Sequence, residues 1–150
     1  MTPVFRTIAL ICITAGALHF VWESSHVGLY AEYEGISGDV PVTLWATIGD
    51  ILYTLVALAL ASLFKKGIEW IRDVSWHDFV GLACLGFFIA LYVEYRALAL
   101  GRWAYLPDMP IFEPFGVGLS PVLQMAILLP LTVAIVALIE RRIARDIVST

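Results

Sequence analysis

The sequence predicts an all-α membrane protein, built as a bundle of four helices that each cross the bilayer. Of its 150 residues, 61% are hydrophobic and 15% are charged, whereas a soluble domain is about 45–50% apolar. Four apolar stretches each provide the roughly 20 residues that a membrane helix needs. We expect one transmembrane domain over residues 1–150, with spans at about 5–27, 42–64, 77–100 and 120–140 and extracytoplasmic loops at 28–41 and 101–119.

The first two spans are recognised by their lack of charge. The first contains no Asp, Glu, Lys or Arg between Arg6 and Glu23. The second contains a single charged residue, Asp50, and is followed by the basic pair Lys65 and Lys66. Both stretches are therefore apolar enough and long enough to cross a bilayer.

The third and fourth spans carry signals for where a helix begins. Ser75 and Asp78 have the spacing of a capping box, which predicts a helix start at this point. Ser120 offers a side-chain acceptor, and the following Pro121 suits the first turn of a helix. Within the fourth span we expect Pro130 to produce a kink.

The distribution of Lys and Arg predicts the orientation. Seven of the nine basic residues flank the spans on the side of the two termini, and short loops rich in Lys and Arg stay in the cytoplasm. Both termini are therefore predicted to be cytoplasmic, which in a bacterium means the cytoplasmic membrane. A net charge of −4 without a basic stripe excludes a nucleic-acid partner. The seven residues are Arg6, Lys65, Lys66, Arg72, Arg141, Arg142 and Arg145.

The two loops on the opposite side differ in composition. The first loop contains Glu32, Glu34 and Asp39 and no basic residue. The second combines three prolines with several aromatic residues between positions 101 and 118. Because Trp and Tyr favour the membrane interface, this second loop is expected to form a folded lid.

Ionisable side chains occur inside the spans, where each costs about 2.5–3.5 kcal/mol on insertion scales. In the first span, His19, Glu23 and His26 follow a spacing of four and then three residues. This spacing places them on one stripe of a helix, with Tyr30 one turn further along. Such residues usually face the interior of the bundle and indicate a functional site.

The other three spans carry matching polar positions at a similar depth. Because alternate spans run in opposite directions, these residues are predicted to meet in the outer half of the bundle, and we expect no comparable polar group in the inner half. The stripes are Thr43, Thr47, Asp50 and Thr54 on the second span, Gly86, Ala90, Glu94, Ala97 and Gly101 on the third, and Ser120 and Gln124 on the fourth.

Several roles are open to this cluster. It could be a structural network in which Arg96 neutralises one carboxylate and His19 binds another. It could hold a metal ion through His19, Glu23 and His26, although the spacing matches no established metal motif. A transmembrane ion pathway is disfavoured because the polar positions stop halfway. Three carboxylates face few cations, so at least one of them is expected to keep or share a proton.

Part of the pattern resembles a known family. His19-Phe-Val-Trp-Glu23, followed by Tyr30 and by a carboxylate in the second span, resembles the emopamil-binding protein and sigma-2 receptor (EXPERA-type) family. The likeness extends to four spans, to Glu94 after Tyr92 in the third, and to Gln124 before a mid-helix proline in the fourth. The chain departs from the family in its short first loop and in Asp50, where the family has Glu.

The resemblance implies an activity. In the sterol isomerases of that family, a His and acidic residues in a membrane pocket protonate a double bond, stabilise the carbocation and remove a proton elsewhere. By this likeness His19, Glu23 and Asp50 would carry the chemistry, with Trp22, Tyr95 and Trp103 as candidate cation-facing aromatics.

We therefore predict an intramembrane acid–base enzyme of isomerase type that needs no cofactor and acts on a lipophilic or isoprenoid molecule. The alternative is a non-enzymatic protein that binds a membrane lipid or a metal, or a small transporter subunit. The small-residue stripe of the third span also suits a homo-oligomer. The candidate catalytic residues are His19, Glu23, Asp50 and Glu94. The candidate substrate-binding residues are Trp22, Tyr30, Thr47, Tyr95, Arg96, Arg102, Trp103 and Gln124.

Overall fold

The computed structural model describes residues 2–33 and 41–148. Within them lie four helices that are long and apolar enough to cross a membrane. The prediction of a multi-pass membrane protein built from four helices is confirmed. The helices are α1 (Pro3–His26), α2 (Val42–Phe64), α3 (Trp76–Ala99) and α4 (Leu119–Val148).

Local signals explain where the helices begin and end. The Ser75 backbone N–H donates to Asp78 Oδ2 at 2.9 Å, which completes the predicted capping box of α3. Helix α4 continues to Val148, eight residues beyond the predicted end of its span, because Arg residues near a helix C-terminus interact favourably with its dipole and do not stop it. The helix is unbroken across Pro130.

Neighbouring helices pack unequally. Helix α1 packs on both α2 and α4, and α3 packs mainly on α4, whereas α2 and α3 make far less contact with each other. The buried residues of α1 recur about every four positions, so one face of this helix lies inward. The result is a bundle that is closed tightly around α4 and only loosely along the seam between α2 and α3.

Helices α3 and α4 approach closely at Gly86. A Cβ atom at this position would clash with the backbone carbonyl of Met125. Part of the small-residue stripe of α3 therefore packs within the bundle, where it lets two backbones come together. This contact fixes the height of Glu94 on α3 relative to Gln124 on α4.

The loops opposite the termini contain short strands, which the all-α prediction did not include. Strand β1 (Tyr30–Tyr33) pairs antiparallel with β2 (Trp103–Tyr105), and β3 (Ile111–Phe112) pairs with β4 (Val117–Gly118). We call this side the ribbon end and the opposite side the terminal end. Glu34 and Asp39, in the acidic first loop, lie outside the described residues.

A buried carboxylate lies at the terminal end. Glu140 on α4 is fully buried, and its oxygens lie 2.6 Å from Arg6 Nη2 and 3.4 Å from Arg72 Nε. The Thr7 hydroxyl donates to it at 2.9 Å. The expectation that the inner half holds no comparable polar group is therefore wrong, because α4 continues beyond Glu140 and two arginines reach it from elsewhere in the chain.

Candidate functional site

Three polar side chains from α1 and α2 meet around the side-chain amide of Gln124 on α4. The Gln124 Nε2 atom lies 2.7 Å from Asp50 Oδ2, 2.9 Å from Glu23 Oε1 and 3.0 Å from His19 Nδ1. His19 is fully buried, and Glu23 and Gln124 are almost so. The structure thus brings together three of the four candidate catalytic residues with one candidate substrate-binding residue. We call these four residues the Gln124 cluster.

The Gln124 cluster has fewer hydrogens than acceptors. An amide carries two hydrogens, yet the Gln124 nitrogen faces three acceptor atoms. At most two of the three contacts are therefore hydrogen bonds from the amide, because its nitrogen accepts none. The groups around it also lie close to one another, since His19 Nδ1 is 3.4 Å from Asp50 Oδ2. The two carboxyl groups and the imidazole of the cluster therefore compete for the two hydrogens of one amide.

Thr54 fixes the other side of the imidazole. Its hydroxyl lies 3.2 Å from His19 Nε2, and both residues are fully buried. Because each ring nitrogen has a partner, the orientation of the His19 ring is set by the fold. Thr54 was recognised on the polar stripe of its span but was not among the candidate site residues.

Glu94 lies on α3 and is held by the ribbon end. The Tyr105 hydroxyl and the Trp103 indole N–H, the latter at 3.2 Å, both donate to its Oε2 atom. The Gly118 N–H donates to the same hydroxyl at 2.9 Å. Burial, together with the neighbouring Glu94 carboxylate, raises the pKa of Tyr105 above its ordinary value, so the phenol remains a neutral donor.

Tyr105 is a second site residue, besides Thr54, that was not among the candidates from the sequence. Its signal is local, because Trp103 and Tyr105 are two positions apart and side chains at that spacing share one face of a strand. Recognising it required knowing that this part of the loop is a strand, paired with residues 30–33.

The carboxylates line a small cavity. It has a volume of about 70 Å³ and lies between α2 and α3, along the loosely packed seam. Glu23, Asp50 and Glu94 all line it, and so do Tyr30 and Trp103, which belong to the strands of the ribbon end. A space of this size holds a few waters or one small part of a larger molecule. We call it the site cavity.

The site cavity is short of positive charge. Among the described residues, no Lys or Arg forms an ion pair with Glu23, Asp50 or Glu94. Arg96, which the structural-network hypothesis paired with a carboxylate, instead donates to the Tyr92 hydroxyl at 3.2 Å. Three carboxyl groups thus share one cavity, and none of them is paired with a Lys or Arg among the residues that the structure describes.

Comparisons with known proteins do not assign the site. Protein-family models, curated proteins and solved structures give no significant match to the chain. The likeness to the emopamil-binding family therefore remains a prediction from the quoted residues, and the chemistry of the site rests on its own geometry.

The geometry does not favour a metal site. Over residues 2–33 and 41–148, no three His, Cys, Asp or Glu side chains converge in a way that could hold a metal ion. His26 Nδ1 lies 2.9 Å from the Trp22 carbonyl, and His26 Nε2 is 3.8 Å from Glu23 Oε1. The ring of His26 packs against Tyr30. The set proposed from sequence, His19, Glu23 and His26, is not arranged as a ligand triad.

The remaining candidate binding residues lie apart from the site cavity. Tyr95 is 68% exposed on the outside of the bundle. Trp22 is half-buried and lies outside the cavity wall. The Thr47 hydroxyl donates to the Thr43 carbonyl of its own helix at 2.7 Å. Arg96 and Arg102 line a separate cavity.

Proposed function

We propose that this protein is an intramembrane acid–base enzyme that moves a double bond within a lipophilic, isoprenoid-type molecule. The observation that carries the proposal is the placement of three carboxyl groups around one cavity, with no Lys or Arg paired to them among the described residues. A buried titratable cluster in a cleft is typical of a functional site. The resemblance to the emopamil-binding family supports the same chemistry.

The reaction needs an acid and a base around the bound alkene. The Glu23–Asp50 pair holds the shared proton and donates it to one alkene carbon, which leaves a carbocation on the neighbouring carbon. Glu94 then removes a proton from the next carbon, and the double bond re-forms one position away. The proton returns from Glu94 to the Gln124 cluster through water in the site cavity, so atoms and electrons balance without an oxidant.

The surrounding side chains suit a cationic intermediate. The carboxylates supply negative charge, and Tyr30, which lines the cavity, supplies an aromatic ring of the kind that stabilises cations. Tyr105 and Trp103 orient Glu94 through hydrogen bonds. His19 and Gln124 orient the donor pair and let its proton redistribute.

The substrate class follows from the position of the cavity. The seam between α2 and α3 is the least packed contact between neighbouring helices, so a ligand is expected to enter from the membrane. The site cavity is smaller than the roughly 300–1,000 Å³ of a pocket that encloses a whole ligand. Only the reacting part of the molecule would enter, and its apolar remainder would stay in the bilayer.

Deuterium exchange tests this proposal directly. Protein in maltoside detergent is incubated in D₂O with squalene, farnesol or a sterol alkene, and the lipid is then analysed by mass spectrometry. Protonation and deprotonation at carbon would deposit deuterium even when no net isomerisation accumulates. We expect incorporation with the wild type and with Glu113→Gln, an exposed carboxyl at the ribbon end. We expect none with Glu23→Gln.

A lipid-binding protein without turnover is the second candidate, favoured by the small cavity on a loosely packed seam. It predicts stoichiometric lipid in native mass spectra and no deuterium incorporation. Equal incorporation by the wild type and Glu23→Gln would contradict the catalytic role of Glu23.

The orientation of the site is part of the proposal. Seven of the nine basic residues flank the spans on the side of the termini, which favours cytoplasmic termini. In that orientation the site cavity lies in the half of the membrane that faces away from the cytoplasm.

A further inference from the structure

A second cavity lies beside the site cavity on the same seam. Its volume is about 110 Å³, and Tyr53, Tyr92, Arg96 and Arg102 contribute to its wall. Tyr53 and Val93 line both cavities, so the two spaces are adjacent. We call the second one the arginine cavity.

The arginine cavity contrasts in charge with its neighbour. Its wall contains the guanidinium groups of Arg96 and Arg102, both of which are exposed residues, and in the described set of side chains neither is paired with a carboxylate. The hydroxyl of Tyr92 accepts from Arg96 at 3.2 Å, which leaves most of the five N–H donors of that guanidinium for a ligand. The planar fork of Arg matches phosphate oxygens and binds them in pairs.

The two cavities together select the polarity of a ligand. A phosphate is repelled by the three carboxyl groups of the site cavity and attracted by the two arginines beside it. At ~1.5 Å rise per residue, Arg96 lies only roughly 3 Å beyond Glu94 along α3, although the two side chains leave on opposite faces of the helix. The two cavities meet at their shared wall, which is formed by Tyr53 and Val93. An anionic head in the arginine cavity would thus leave the first few carbons of its chain at the carboxylates.

We propose that the arginine cavity binds the phosphate group of an amphiphilic lipid, whose first carbons reach the site cavity. The substrate class is then an isoprenoid-like lipid phosphate that carries its double bond close to the head. The statement about the reacting carbons rests on the function proposed above, whereas phosphate binding by Arg96 and Arg102 does not.

The test measures binding of dodecyl phosphate, dodecanol and inorganic phosphate to protein in maltoside detergent. We expect dodecyl phosphate to bind at least about tenfold more tightly than dodecanol. The double variant Arg96→Gln/Arg102→Gln is expected to lose this preference, while Arg142→Gln, an exposed arginine at the terminal end, keeps it. The variant Arg96→Lys/Arg102→Lys keeps the charge and should recover part of the preference.

Competition separates the sources of the phosphate. Inorganic phosphate and phosphatidylglycerol, each at the concentration of dodecyl phosphate, are expected not to displace it. Displacement by inorganic phosphate would show that the arginine cavity is a site for a free ion. Displacement by phosphatidylglycerol would show that it is a contact for bilayer lipids in general. Either result overturns the proposal. So does equal affinity for the phosphate and the alcohol, or an unchanged preference in the double glutamine variant.

The two proposals fail separately. Glu23→Gln should abolish deuterium exchange and leave dodecyl phosphate bound. If the wild type binds dodecyl phosphate but exchanges no deuterium into any alkene, farnesyl phosphate included, the catalytic proposal fails and the phosphate subsite stands. If it exchanges deuterium but does not prefer the phosphate, only the subsite fails.

Discussion

The two ends of the bundle treat a buried carboxylate in opposite ways. At the terminal end, Glu140 is fully buried and compensated by Arg6, Arg72 and the Thr7 hydroxyl. Towards the ribbon end, three carboxyl groups share a cavity, and in the described part of the chain no Lys or Arg is paired with them.

The difference separates a structural role from a chemical one. A carboxylate with its cations in place ties helices together and has no proton to give. A carboxyl cluster with no cation paired to it lowers its negative charge by keeping protons bound. The comparison therefore predicts that changes at the terminal end affect stability, and that changes around the site cavity affect chemistry.

The largest effect on stability is expected at the terminal end. Arg6→Gln leaves the fully buried Glu140 with only part of its compensation. We expect the free energy of unfolding to fall, because removing one partner of a buried carboxylate is destabilising. The loss is limited, because Arg6 is itself 25% exposed and Arg72 remains. Unfolding of Arg6→Gln in a titration with SDS measures this loss, with Arg142→Gln as the control. Equal stability of the two variants would contradict a structural role for the contacts of Glu140.

A packing change comes next. Gly86→Val places side-chain atoms against the Met125 backbone, so α3 and α4 must separate. Overpacking of this kind costs about 1–3 kcal/mol, and we expect a lower melting temperature together with reduced exchange. Gly81→Val is the control, because a Cβ atom at Gly81 meets nothing within 4 Å. Similar losses in both variants would argue against the close approach at Gly86.

Tyr105→Phe should have a smaller effect on stability. It removes one hydrogen bond to Glu94 and one from the Gly118 N–H, and a single bond is worth about 0.5–1.5 kcal/mol. Because Glu94 loses one of its two orienting donors, we expect deuterium exchange to fall roughly tenfold, less than the ~10²–10⁴-fold that a general acid or base itself contributes. Unchanged exchange would remove Tyr105 from the positioning residues.

The smallest effect is a pH dependence of stability. The pKa of Tyr105 is raised in the folded protein, so folding favours the protonated phenol. Its contribution is complete below about pH 10, the ordinary value for tyrosine, and is lost as the pH rises further. Between pH 9 and 11 the melting temperature of the wild type should fall more steeply than that of Tyr105→Phe; parallel curves would contradict the shift.

Much of the fold could be predicted from local sequence. The lengths of the apolar stretches predicted the four helices. The spacing of four and then three residues predicted the inward stripe of His19, Glu23 and His26. Successive membrane spans run in opposite directions. The position of each residue along its own span was therefore enough to expect Glu23, Asp50 and Gln124 at the same depth in the membrane.

What could not be predicted depends on contacts between distant residues. The stripe does not show that one amide bridges three groups, because this depends on how α4 is rotated against α1 and α2. Tyr105 reaches Glu94 only because residues 103–105 pair with 30–33. Glu140 and Arg6 are 134 positions apart, and no helical spacing reveals that they meet.

The most direct test of the central claim compares Glu23→Gln with Glu140→Gln in two measurements, deuterium exchange into alkene lipid and unfolding in SDS. We predict opposite results. Glu23→Gln should lose at least about 100-fold in exchange while its unfolding midpoint stays close to that of the wild type. Glu140→Gln should unfold more easily yet exchange at the wild-type rate per folded molecule. If both variants lose stability and neither loses exchange, the carboxylates of the site cavity are structural and the account is wrong.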